Sequence, residues 1–87
     1  MSKIKLCITG GSGFIGTTAM AWALSKFESI NFDIHPPKIL EHHHHWRFVD
    51  IRESESLTEA LIEFKPTHIL HLAAMTGMDI QEISFFD

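Results

Sequence analysis

Four glycines lie close together near the start of the chain, in the segment TGGSGFIG at residues 9–16. Side chains are therefore missing where the backbone has to turn tightly and where a helix would begin. The unpaired amides of a first helical turn, together with the positive end of the helix dipole, hold a phosphate without a basic side chain. We predict a diphosphate-binding turn in which Gly10 permits the tight turn, Gly13 lets amides approach the ligand, and Gly16 allows close packing of the helix.

Two other interpretations of this turn have to be weighed. A glycine-rich segment can simply connect two elements. Gly11 and Gly16 also have the spacing of a nucleoside triphosphatase loop. However, Thr17 stands where that motif requires a lysine, which disfavours a triphosphatase.

An acidic residue follows at the offset that dinucleotide sites use. Asp33 lies 23 positions after Gly10, close to the ~20-residue offset at which a carboxylate meets the adenosine ribose hydroxyls. A carboxylate there repels a 2′-phosphate, so we predict NAD rather than NADP as the cofactor. The alternative is an aspartate in an Asx turn before Pro36-Pro37, and Lys38 or His35 could soften the discrimination.

These residues require a strand before the glycine turn and a helix after it. Apolar runs bounded by glycine or proline are typical of buried parallel strands, and a 3.6-residue period indicates a helix. The predicted elements are a strand over 3–9, a helix over 14–27, a strand over 29–33, a polar connection without helical period over 35–45, a strand over 46–49, a helix beginning at Ser54, and a strand over 68–72. The structure of the tail over 75–87 is left open.

This order of elements predicts an α/β fold. Strands that alternate with helices form a parallel sheet through right-handed crossovers. We therefore expect a partial Rossmann, or doubly wound, parallel sheet with strand order 3-2-1-4, truncated after the fourth strand, within one domain that spans residues 1–87.

Length and charge narrow the classes of protein. With 87 residues the chain forms one domain at most. Eleven acidic against seven basic residues give a net charge of -4, and the basic residues are scattered, so we expect no nucleic-acid partner. The longest apolar run has six residues against the roughly 20 that cross a bilayer, so we expect no membrane span. A single cysteine and the lack of a signal-like segment favour a cytoplasmic location.

Four motifs occur in order along the chain: Thr9-Gly10-x-x-Gly13-x-x-Gly16, Asp33 at the end of the second strand, Asp50-Ile51 after the third, and His71-Leu72-Ala73-Ala74 after the fourth. In these motifs the chain resembles the N-terminal part of the extended short-chain dehydrogenase/reductase family, the NAD-dependent epimerases and dehydratases of nucleotide sugars. The resemblance implies hydride transfer from a sugar carbon to NAD in the complete enzyme, with a nucleotide sugar as substrate.

The resemblance also implies a role for each matching position. The pyrophosphate would be held by Gly10, Gly13 and Gly16 with the amides of Phe14 and Ile15, the ribose by Asp33, the adenine amino group by Asp50 and the ring by Ile51, while Ala73 and Ala74 would line the passage toward the nicotinamide. From position alone, Asp50 is equally a turn or capping residue before the second helix. The two alanines are equally small residues at a crowded strand end.

The chain also departs from that family. Its members carry a Tyr-x-x-x-Lys pair as the acid/base, and this sequence contains no tyrosine. We therefore expect a cofactor-binding fragment that does not turn over alone. The alternatives are a non-catalytic dinucleotide-binding or sensing module and an interaction domain without a ligand.

Two further features bear on partners. The four adjacent histidines at 42–45 cannot all face one ion, so no metal site is predicted there. The fourth strand is apolar on both faces and would form an open edge of the sheet, which predicts self-association through that edge or through the aromatic tail at Phe85-Phe86.

Overall fold

Four strands form a parallel sheet in the computed structural model, which describes residues 3–73. The strands are β1 at Lys5–Thr9, β2 at Glu28–Asp33, β3 at Trp46–Phe48 and β4 at His68–His71. Their order across the sheet is β3-β2-β1-β4. The predicted α/β class and the predicted strand order 3-2-1-4 are both confirmed.

The register places the carboxyl ends of the strands at one edge of the sheet. Thr9 at the end of β1 pairs with Phe32 of β2 and with His71 of β4. Asp33 at the end of β2 pairs with Phe48 of β3. The segments that leave these strand ends therefore meet at a common edge, where ligands of open α/β sheets bind.

Two helices cover the two faces of the sheet. Side chains alternate along β1, so Leu6 and Ile8 point to one face and Cys7 to the other. Helix α1 at Phe14–Leu24 packs on the first face and buries Met20 and Ala23 with them. Helix α2 at Ser54–Phe64 packs on the second face, where its Ala60 joins the core cluster of Cys7.

The structure corrects several predicted boundaries. Helix α1 ends at Leu24 rather than at residue 27, because the amides of Ser25 and Lys26 bond carbonyls three residues back instead of four and tighten the last turn. Strand β2 then begins one residue earlier than predicted. The expectation that residues 35–45 lack helical structure is wrong, since a short 3-10 helix occupies Leu40–His45. Strands β3 and β4 each stop one residue earlier than predicted.

Two predictions concern positions that the structure does not describe. Ala74 and the tail Met75–Asp87 lie outside the described residues. Among residues 3–73, neither helix has the length and apolar character to cross a bilayer. The cytoplasmic location stays a prediction.

Candidate dinucleotide-binding site

A cleft of about 300 Å³ opens at the edge where the strands end. Its walls come from the glycine turn, the loop after β2, the turn after β3 and the end of β4. Six of the residues predicted from the sequence line it: Gly10, Gly13, Asp33, Asp50, Ile51 and Ala73. Residues up to 63 positions apart in the chain therefore meet in one place.

The start of α1 forms one side of this site. Phe14 and Ile15 are 89% and 69% exposed and do not line the cleft themselves, so the role of their backbone amides stays a prediction. Within residues 3–73 the amides of Phe14, Ile15 and Gly16 have no hydrogen-bond acceptor. Gly13 occupies the N-cap position without a side-chain cap, and the first turn carries no acidic residue. An anion at this helix end would therefore meet free donors and a favourable dipole.

Two of the glycines are required by the packing of the chain itself. Gly10 has a φ of +78°, and a Cβ added there would lie 2.7 Å from the backbone of Ala73. A Cβ at Gly16 would overlap the carbonyl oxygen of Gly10 and lie 2.7 Å from the Cα of Gly11. Gly16 thus lets α1 approach the turn, as the sequence predicts, although its own atoms do not line the cleft.

Gly13 differs from these two glycines. A Cβ at Gly13 would meet only the Gly10 carbonyl, at 3.6 Å, and the φ of Gly13 is -76°, which any residue can adopt. Nothing in the described chain therefore demands a glycine here. The missing side chain leaves open space beside the free amides of α1, and this space suits a pyrophosphate.

Asp33 is held at the rim of the cleft by two backbone amides. Its Oδ2 accepts a hydrogen bond of 2.9 Å from the Ser12 amide, and its Oδ1 accepts one of 3.0 Å from the His35 amide. The second bond is the Asx turn that was the alternative interpretation of this residue. Each carboxylate oxygen keeps a further acceptor site, so the turn and a ribose contact are compatible.

Asp50 forms a local ion pair with Arg52. Its Oδ1 accepts from the amide and from Nε of Arg52, each at 3.0 Å, and its Oδ2 accepts from Nη2 at 2.8 Å. The side-chain hydrogen bonds from Arg52, followed by the backbone bond, lower the pKa of Asp50 to about 2. The residue is a turn aspartate and not the cap of α2, whose N-cap position is occupied by Glu53.

The sequence pattern of the NAD dependent epimerase/dehydratase family matches residues 6–84. The chain belongs to this family. The resemblance and the cofactor inferred from the motifs, NAD, are thereby confirmed at the level of the family.

Three similar proteins illustrate the relationship. The CDP-paratose 2-epimerase of Salmonella typhi is 34% identical over 85 residues, which cover 86% of this chain and 25% of that protein. The structure of UDP-glucose 4-epimerase from Thermus thermophilus in complex with NAD superposes with a TM-score of 0.72 at 32% identity, over 83% of this chain and 24% of that one. The dTDP-glucose 4,6-dehydratase of Bacillus anthracis in complex with NAD has a TM-score of 0.67 at 27% identity, over 84% of this chain and 27% of that one.

The fraction of each relative that this chain covers limits the segment to which the family membership applies. The chain spans about a quarter of the length of each of these relatives. Family membership therefore applies to the segment that contains the glycine turn and the four parallel strands.

Sequence reasoning missed the residue that ties the walls of the cleft together. Ser12 is only 3% exposed and lines the cleft. Its carbonyl accepts a hydrogen bond of 2.9 Å from Nζ of Lys38, and its hydroxyl donates one of 2.8 Å to the His35 carbonyl. From the sequence, Lys38 and His35 are expected only to soften the discrimination between NAD and NADP. The available signal for this network was Asn31, a polar residue between the apolar Ile30 and Phe32 of β2.

A second cavity of about 280 Å³ lies on the α2 face of the sheet and is mostly apolar. The Cys7 thiol lines it, and burial raises the pKa of this thiol to about 12. A thiol with that pKa stays protonated at neutral pH and is a poor nucleophile. Within residues 3–73, no group of three histidine, cysteine or acidic side chains is arranged to hold a metal ion.

Proposed function

We propose that this chain is the NAD-binding N-terminal portion of a nucleotide-sugar epimerase or dehydratase and does not turn over substrate alone. The observation that supports this most directly is the open space at Gly13 beside the free amides of α1, with the Asp33 carboxylate in the same cleft. The three relatives above each carry a nucleotide-linked sugar in their names, which supports the substrate class.

In this proposal the chain binds and orients the cofactor. The amides at the start of α1 hold the pyrophosphate, Asp33 accepts from the adenosine ribose, and Asp50 accepts from the adenine amino group. Ile51 covers the adenine ring, while Ala73 and Ala74 lead toward the nicotinamide. NAD, when bound, supplies the acceptor for a hydride from a sugar carbon. The 87 residues contain no tyrosine, so the proton transfer of the reaction has to come from elsewhere in a complete enzyme.

The choice between NAD and NADP provides the test. Calorimetric titration of the chain should show weak binding of NAD, with a Kd near ~1 mM, and weaker binding of NADP. Asp33→Ala should narrow the difference between the two cofactors, because the charge that repels a 2′-phosphate is removed. Asp33→Asn is the matched control for structure, since its amide oxygen can still accept from Ser12. Equal binding of both cofactors by the wild-type chain, or no binding of either, would overturn the proposal.

A non-catalytic dinucleotide-binding or sensing module is the second candidate, because the same cleft and free amides would serve a dinucleotide without any catalytic residue. The two candidates make different demands on the gene. A reading frame that continues past residue 87 into a Tyr-x-x-x-Lys segment supports the enzyme, whereas a stop codon supports the module.

We also propose that the chain self-associates through β4. In the described sheet β4 is the outermost strand beside β1, and all four of its residues are exposed. An edge strand with unpaired amides and exposed apolar side chains is a template for a second copy. Sedimentation velocity should show a dimer that Leu70→Lys abolishes. Ile62→Lys, at a 65% exposed position on α2, should leave the dimer intact, and a wild-type chain that stays monomeric at high concentration would contradict the proposal.

A further inference from the structure

A fully buried amide side chain lies under the glycine turn. Asn31 belongs to β2 and is 0% exposed. Its Oδ1 accepts a hydrogen bond of 2.8 Å from the Gly11 amide, and its Nδ2 donates one of 2.9 Å to Oγ of Ser12. Buried polar groups are expensive unless they are paired, and both ends of this amide are paired with the turn.

Ser12 extends this connection to the opposite wall of the cleft. Its hydroxyl receives the bond from Asn31 and donates to the His35 carbonyl at 2.8 Å. Its amide donates to the Asp33 carboxylate at 2.9 Å. A chain of hydrogen bonds thus runs from β2 through the glycine turn to the loop after β2, and it includes the carboxylate proposed to meet the ribose.

The fit between the turn and Asn31 is close. A Cβ added to Gly11 would lie 2.6 Å from Oδ1 of Asn31, so the turn rests directly on this side chain. On the other side of the same turn, Gly13 borders open space. The side chain of Asn31 therefore sets how far the turn stands from β2, and with it where the amides at the start of α1 lie.

We infer that Asn31 is a positioning residue for the diphosphate of the cofactor. It fixes the glycine turn from below and does not line the cleft. The inference rests on the proposed function, because it names the group that shapes the diphosphate subsite of that site. A purely structural asparagine would stabilise the fold and leave the relative affinities of ligands unchanged, whereas a residue that positions the diphosphate subsite affects ADP more than adenosine.

The test compares ADP with adenosine in the same variants. Asn31→Leu keeps the approximate size of the side chain and removes both hydrogen bonds, and Ser12→Ala removes only the hydroxyl link. Ser29→Ala is the matched control, because Ser29 is a buried polar residue two positions earlier on β2 whose hydroxyl bonds the Phe27 carbonyl instead. Calorimetry should show ADP binding about tenfold weaker in Asn31→Leu, a smaller loss in Ser12→Ala, and no loss in Ser29→Ala. Adenosine should lose less affinity than ADP in Asn31→Leu and in Ser12→Ala, and none in Ser29→Ala.

Each contrary outcome has a distinct meaning. Wild-type ADP affinity in folded Asn31→Leu overturns the inference alone, as does an equal loss for ADP and adenosine, which marks a structural role. If Asn31→Leu does not fold, Ser12→Ala decides by the same comparison of ligands. A wild-type chain that binds neither ADP nor adenosine overturns the proposed function, and the inference with it.

Discussion

The two helices have the same length but differ in the charge around their N-termini. Both run for 11 residues. Helix α1 has Gly13 at its N-cap position, which provides no side-chain cap, and its first turn contains no acidic residue. Helix α2 has Glu53 at its N-cap position and Glu55 in its first turn, and the Asp50–Arg52 ion pair lies just before it. Negative side chains therefore lie near the N-terminus of α2, whereas the N-terminus of α1 has none in its first turn.

In the proposed function, this difference explains how the start of α1 could hold an anion without a charged side chain of its own. Carboxylates near a helix N-terminus stabilise it by up to ~1 kcal/mol, and α1 forgoes that stabilisation. Its free amides instead follow directly after Gly13, which lines the cleft. The proposed diphosphate subsite therefore depends on absent side chains as much as on those that are present.

The largest effect is expected where α1 meets the glycine turn. Gly16→Ala places a Cβ against the Gly10 carbonyl and the Gly11 backbone, and backbone cannot move aside as a side chain can. We expect the free energy of unfolding to fall by about 2 to 3 kcal/mol, measured by urea denaturation. Thr18→Ala, at an exposed position of the same helix, is the control and should change stability by less than ~0.5 kcal/mol. Equal stability of the two variants would show that α1 does not pack on the turn.

The difference between the two helix N-termini can be tested by adding a carboxylate to the first turn of α1. Ile15→Glu adds a negative charge to its first turn, which should stabilise the helix by up to ~1 kcal/mol. The same charge repels a diphosphate, so ADP affinity should fall about tenfold, or ~1.4 kcal/mol. Denaturation and calorimetry on one sample measure the two opposite effects.

Controls separate charge from position in this experiment. Ile15→Gln has the same shape without the charge and should keep wild-type ADP affinity. Ser56→Glu adds the carboxylate to the first turn of α2 and should leave binding unchanged. If Ile15→Glu bound ADP as well as Ile15→Gln, the start of α1 would not be the diphosphate subsite.

The sequence predicts most of the fold because its signals are local. The apolar run of β1 ends at glycines, and Pro36-Pro37 follows β2, so element order and sheet topology follow from adjacent residues and from crossover handedness. The 3-10 helix at Leu40–His45 has no comparable signal, since six residues are too few to show a period. The end of α1 follows from backbone hydrogen bonds of Ser25 and Lys26 that reach three residues back, and the residue pattern does not indicate them.

The candidate site also contains residues with a local sequence signal and residues that have none. The family motifs locate Gly13, Asp33 and Asp50 in one cleft because each follows a strand end. The hydrogen bond from the Gly11 amide to Asn31 joins residues 20 positions apart, and only the register of β1 with β2 brings them together. The sequence shows a polar residue between two apolar ones, Ile30 and Phe32, but not which backbone group it contacts.

The smallest effect is expected at the turn before α2, where the chain already balances its own charge. Arg52→Gln removes the guanidinium that holds the pKa of Asp50 at about 2, so that pKa should rise toward its ordinary value of 3.8. The chemical shift of the Asp50 carboxyl carbon, followed by NMR as the pH is lowered, measures the change.

Because the pKa of Asp50 is depressed in the folded state, the ion pair contributes stability above pH ~4, and this contribution is lost as the pH falls through about 2. The two proteins should therefore differ in stability at pH ~6 and converge in strong acid. At neutral pH Asp50 is ionised in both, so ADP affinity should be equal. A loss of ADP affinity in Arg52→Gln would mean that Arg52 itself contacts the ligand, and the charge balance before α2 would then belong to the binding site as well.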